Sequence, residues 1–101
     1  MGLFSWLGLG NSGLQKALDA GAAIVDVRTP QEFDQGKIPG SINIPVNRIS
    51  SQLDRLKTMD RPIVVCCASG MRSGMAKTIL KKAGIKEVYN GGNWQSLLKK
   101  L

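Results

Sequence analysis

The stretch Ile63-Val64-Val65-Cys66-Cys67-Ala68-Ser69-Gly70-Met71-Arg72-Ser73 decides the fold. Pro62 opens it, and the run from Ile63 to Cys66 is continuously apolar, which reads as a strand covered on both faces rather than a half-exposed one. Ala76, Ile79, Leu80 and Ala83 then recur at helical spacing, and Gly84 stops the helix. A strand, a short loop of small residues and a helix, in that order, form one unit of a parallel α/β architecture.

The same alternation continues outward on both sides. Toward the N-terminus, residues 23–27 read as a short β-branched strand, and Thr29-Pro30-Gln31-Glu32 as a helix start, with Thr29 as cap, Pro30 first and Glu32 in the capping-box position. Leu14, Ala17 and Leu18 have helical spacing before Gly21. Gly36, Pro39 and Gly40 mark a turn into a second short strand at 41–44, and Ile49, Leu53 and Leu56 space out a further helix. Toward the C-terminus, Val88-Tyr89 reads as a brief strand, Gly91-Gly92 as a turn and residues 94–101 as the last helix. These elements predict an α/β domain on a parallel sheet with helices on both faces. Ligands in such folds sit beyond the carboxyl ends of the strands, which selects the loops at 26–29 and 67–72.

A chain of 101 residues holds one small domain, assigned here to residues 12–101. Residues 1–11 stand apart: Leu3, Phe4, Trp6, Leu7 and Leu9 are apolar, and no charge precedes Lys16. Without a basic start or a longer apolar stretch they do not form a secretory signal, and Trp6 breaks the myristoylation pattern. They are expected to pack on the domain as an edge strand or turn, in preference to a membrane- or partner-binding tail. No apolar run approaches the roughly 20 residues of a transmembrane segment.

The chain has no histidine, which excludes His-dependent nucleophiles and His-ligated metals. Two adjacent cysteines support neither a four-ligand zinc site nor a disulfide framework, so no metal or other cofactor is expected. Free thiols fit a reducing compartment, and the expected location is cytoplasmic. Residues 1–50 carry four basic and four acidic groups, whereas residues 51–101 carry ten and three, so the whole net charge of +7 lies in the half with the cysteines. That field favours anionic partners. Nucleic acid is not expected, because aromatics are only 5% and none interleaves with the basic cluster. A small anion fits better.

The cysteine loop has a chemistry of its own. Successive backbone N–H groups in a short Gly-containing loop can converge on one point, and the N-terminus of the following helix adds about half a positive charge there. A thiol so placed should titrate below its ordinary value of about 8.5, toward 7 or lower, without needing a base. Ala68, Ser69 and Gly70 are small enough to let the backbone curl and leave the sulfur accessible. Cys66, one residue earlier, points to the opposite face of the strand and reads as a buried small hydrophobe.

Four segments, in order, carry a family resemblance. Asp26-Val27-Arg28-Thr29-Pro30-Gln31-Glu32-Phe33, then Gly36-Lys37-Ile38-Pro39-Gly40-Ser41-Ile42-Asn43-Ile44-Pro45, then Cys67-Ala68-Ser69-Gly70-Met71-Arg72-Ser73, then Gly91-Gly92-Asn93-Trp94 resemble the successive signatures of rhodanese-like domains. The resemblance implies a single rhodanese-like domain with a five-stranded parallel sheet flanked by helices. It also implies a thiosulfate sulfurtransferase that cycles through a persulfide. It places the nucleophile at Cys67 and the anion-binding loop at Ala68, Ser69, Gly70, Met71 and Arg72. Asp26, Arg28, Lys37 and Ser73 become supporting or donor-binding candidates, and Ser69 and Ser73 are expected to shape the loop and cap the helix. Arg72 has two readings, binding the donor's oxygens or bracing the loop through Asp26 or Glu32. The implied partners are a small anionic donor such as thiosulfate and a thiol or cyanide acceptor, with the protein acting as a monomer. Lys37 stands where many members carry His, and Cys66 where a Tyr commonly precedes the nucleophile.

Two other classes compete. Counted from Cys66, the chain also fits C-x-x-x-x-x-R-S, the pattern of cysteine-dependent phosphatases and arsenate reductases. Alternatively, the domain is a non-catalytic relay that receives a persulfide from another protein.

Overall fold

The computed structural model describes residues 13–101. Its centre is β3 (Ile63–Cys67), every residue of which is buried. The remaining strands are β1 (Ala23–Asp26), β2 (Ile42–Asn43) and β4 (Val88–Asn93). All pairings are parallel, in the order β2-β1-β3-β4. The helices are α1 (residues 13–19), α2 (Pro30–Gln35), α3 (Leu53–Thr58), α4 (Met71–Lys82) and α5 (Trp94–Leu98), with a 3-10 helix (Val46–Gln52) leading into α3.

Side-chain alternation divides the core in two. Val25, Val27, Ile63, Val65 and Cys67 face Ile49, Leu56, Ala76 and Leu80 of the 3-10 helix, α3 and α4. Val64 and Cys66 face the other way, onto Ala17 of α1 and Leu97 of α5. Both faces are therefore covered, which is why β3 shows no polar alternation.

Several expectations need correction. The sheet has four strands among the described residues, where the resemblance implies five. The edge strand or turn expected in residues 1–11 lies outside the described residues. The last helix stops at Leu98 rather than 101. The helix expected around Ile49 begins instead as a 3-10 turn. Gly91-Gly92 is not a turn but part of β4, which runs six residues. Val65 pairs with Asn90 and Cys66 with Gly92, so Gly91 is the extra residue of a β-bulge. A Cβ at Gly91 would stand 2.9 Å from both Leu97 and Val64 side-chain carbons and 3.2 Å from the Val65 carbonyl oxygen. Packing, rather than turn geometry, demands glycine there.

Candidate active site

The connections of β1 and β3 run off in opposite directions across the sheet, which opens a crevice where their carboxyl ends meet. β3 delivers Cys67 to that point, and Gly70, at φ +99°, turns the chain into α4 as its N-cap. Glycine tolerates this left-handed conformation without strain.

Donors converge on the Cys67 sulfur. The Gly70 N–H donates to Sγ at 2.9 Å and the Ser73 N–H at 3.4 Å, while the Ser73 hydroxyl lies 3.4 Å away. Burial by itself pushes the Cys67 thiol up. The Ser73 hydroxyl and N–H, the Gly70 N–H and the Ser69 N–H together outweigh it, so the thiol lies below its ordinary value. Cys66 has no such cradle: burial, then the Asp26 carboxylate, pushes its thiol up to about 12. The phosphatase-like register from Cys66 thus starts on a neutral thiol facing the wrong side of the sheet.

Access differs from expectation. Cys67 is 0% exposed, covered by its own loop, although the next two residues, Ala68 and Ser69, are exposed. Met71 is 76% exposed and contributes backbone rather than side chain to the loop. Neither Ser69 nor Ser73 caps α4 with its side chain. Ser73 is buried, and its hydroxyl reaches the Gly70 carbonyl at 3.1 Å and Asn90 Oδ1 at 2.7 Å.

The arginines are braces. Arg28 is buried; its Nε and Nη2 donate to Asp26 at 2.7–3.0 Å, and its remaining reach goes to the Glu32 and Gly36 carbonyls. Its guanidinium also stacks 4.6 Å from the Trp94 ring centroid. Four of its five guanidinium N–H groups are thus engaged within the protein, and with Asp26 fully buried the pair braces the fold. Arg72 makes a bidentate pair with Glu32 at 2.7 and 3.0 Å, which is one of the two bracing partners expected and ties α4 to α2. Lys37 is brought over Phe33, 5.0 Å from the ring centroid, rather than to the loop.

Glu32 is the double-duty residue that site reasoning from sequence passed over. It completes the capping box with Thr29, as the sequence signalled, and pairs with Arg72, which no local pattern announced. The Arg72 guanidinium, then the Thr29 N–H, hold its carboxyl at about 2 against an ordinary 4.5. A depressed carboxylate stabilises the fold fully above its ordinary value and loses that contribution as pH falls from about 4.5 to about 2. Both side chains are about one third exposed, so solvent screening limits the pair to about 1 kcal/mol. Glu32→Gln keeps an acceptor for the Thr29 N–H, and should be less stable than the parent by up to about 1 kcal/mol at neutral pH. The two should converge as pH approaches 2. Urea midpoints measured across that range check this, and a constant gap would contradict it.

An open cleft beside the centre, between α2, β2 and the 3-10 helix, is lined by Gln31, Asn43, Asn47, Arg48, Gln52 and Arg55 among others. It contains no cysteine, and the thiol chemistry belongs to the loop.

Comparison with known proteins agrees with this geometry. The family model for the rhodanese-like domain matches residues 11–93. The chain is 39% identical over 69 residues to the protein YqhL of Bacillus subtilis strain 168, covering 68% of this chain and 54% of that one. It is 31% identical to the thiosulfate sulfurtransferase PspE of Escherichia coli K12, covering 72% and 71%. The human single-domain sulfurtransferase TSTD1 superposes with a TM-score of 0.68 at 29% identity, covering 87% of this chain and 91% of that one. The chain spans about half the length of the first of these relatives.

Proposed function

The chain belongs to the rhodanese-like domain family, and from that premise we propose that it moves sulfane sulfur from a thiosulfate-like anion to a thiol or cyanide acceptor through a persulfide on Cys67. The observation that carries this reading is the convergence of the Gly70 and Ser73 N–H groups on one sulfur. Preorganised donors around a covered atom stabilise negative charge there without reorganising during the reaction.

The Cys67 thiolate attacks the outer sulfur of thiosulfate. The donor's S–S bond breaks, sulfite leaves with the bonding pair, and the negative charge passes to the terminal sulfur of Cys67. A thiolate or cyanide then attacks that sulfur, the Cys67–S bond breaks, and Cys67 returns as thiolate. Two half-reactions sharing one carrier give ping-pong kinetics. The positive field of the second half of the chain draws anions toward the exposed stretch at 68–69. Free thiols at 66 and 67 suit a reducing compartment such as the cytoplasm.

Incubation with thiosulfate, followed by mass measurement of the intact protein and its peptides, should show a gain of about 32 Da on Cys67, reversed by cyanide. No gain from thiosulfate would overturn the direct-transfer reading. A gain only from a persulfidated protein donor would point to the relay instead.

A further inference from the structure

The carbonyls of the Cys67 loop are held from β4. Asn93 Nδ2 donates to the Ala68 carbonyl at 2.6 Å, and Asn90 Nδ2 to the Gly70 carbonyl at 3.3 Å. Asn90 Oδ1 accepts from the Ser73 hydroxyl at 2.7 Å and the Gly92 N–H at 2.9 Å, while Asn93 Oδ1 caps α5 through the Ser96 N–H at 2.9 Å. On a regular strand, residues three apart point to opposite faces. The extra residue at Gly91 cancels that alternation: Asn90 pairs opposite Val65 and Asn93 opposite Cys67, two residues of the same face. The bulge is what lets both amides reach one loop.

A peptide plane is rigid, with its C=O and the next residue's N–H pointing in opposite directions. Holding the Ala68 carbonyl therefore orients the Ser69 N–H, and holding the Gly70 carbonyl orients the Met71 N–H. We propose that Asn93, seconded by Asn90, is a positioning residue of the sulfur site: Asn93 turns the Ala68–Ser69 peptide plane so that its N–H, not its carbonyl, faces Cys67 Sγ, and Asn90 holds Ser73, whose N–H reaches the sulfur at 3.4 Å. The Ser69 N–H is among the groups that favour the Cys67 thiolate, in keeping with this role. The inference rests on Cys67 being the sulfur-carrying thiol.

Asn93→Ser tests it, because serine keeps a neutral cap for α5 but is too short to hold the Ala68 carbonyl. Thiolate absorbance followed against pH in a Cys66→Ala background reads Cys67 as the one remaining thiol. The Cys67 midpoint should rise by about 0.5–1 pH unit, as expected for weakening one hydrogen bond to the thiolate. Persulfide formation below that midpoint should slow roughly three- to tenfold, in proportion to the lost thiolate. Asn93→Asp keeps the cap and adds charge, so its larger rise should shrink with salt while that of the serine variant should not. Asn93→Thr replaces the serine variant if the latter does not fold. A folded, neutral variant with the parent midpoint overturns the proposal, because a merely structural role would move stability and leave the midpoint alone. The titration needs no sulfur donor. A parent protein that takes no sulfur from thiosulfate would sink the functional reading and leave this measurement standing.

Discussion

Cys67→Ala is expected to cut sulfur transfer by at least about three orders of magnitude, while Cys66→Ala stays within about twofold of the parent. The two thiols are neighbours in sequence and both are fully buried, so composition and exposure do not separate them. Their surroundings do. Cys67 receives N–H and hydroxyl groups from the start of α4, whereas Cys66 sits among Ala17, Ile38, Val64 and Leu97. Without Cys67 no other described group occupies the focus of those donors. Without Cys66 the cost is a small gap in an apolar layer, on the order of 1 kcal/mol of stability and not a lost reaction step. Thiosulfate turnover with both variants in parallel decides the matter. Activity that survives in Cys67→Ala and vanishes in Cys66→Ala, together with hydrolysis of phosphate esters by the parent, would favour the phosphatase-like register.

The largest effect on stability is expected from Asp26→Asn, at about 3–5 kcal/mol. Asp26 is fully buried, and among the described residues its carboxylate is the only anion paired with the Arg28 guanidinium, itself 4% exposed. Removing one partner strands the other charge away from water, and a domain of this size has only about 5–15 kcal/mol to lose. The damage should reach the site, because Arg28 also holds the Glu32 and Gly36 carbonyls and stacks on Trp94, so it sets where α2 presents Glu32 to Arg72. Urea denaturation gives the loss directly, and a value below about 1 kcal/mol would show that Arg28 finds compensation elsewhere. Replacing both partners, Asp26→Asn with Arg28→Met, should recover part of it, since no buried charge then remains.

Much of this was legible in the residues because it is local. The continuous apolar run of β3 and the Thr29–Glu32 capping box each depend on neighbours within a few positions, where periodicity and backbone preference act directly. The same is true of the opposite orientation of Cys66 and Cys67, which follows from the two-residue period of any strand. Arg72 shows where such reading stops. The residue type suits both an anion and a carboxylate, and only the approach of α2 to α4 gives it Glu32.

By itself, then, the sequence determined an α/β domain and the thiol at the end of its central strand, since short-range pattern suffices for both. Tertiary structure decided the depth of Cys67, the conversion of Arg28 and Arg72 into braces and the use of Asn90 and Asn93 against the loop. Each of these depends on a register between segments far apart in the chain. In β4, a single bulged residue at Gly91, demanded by Val64 and Leu97 packing against it, decides which face the asparagines occupy.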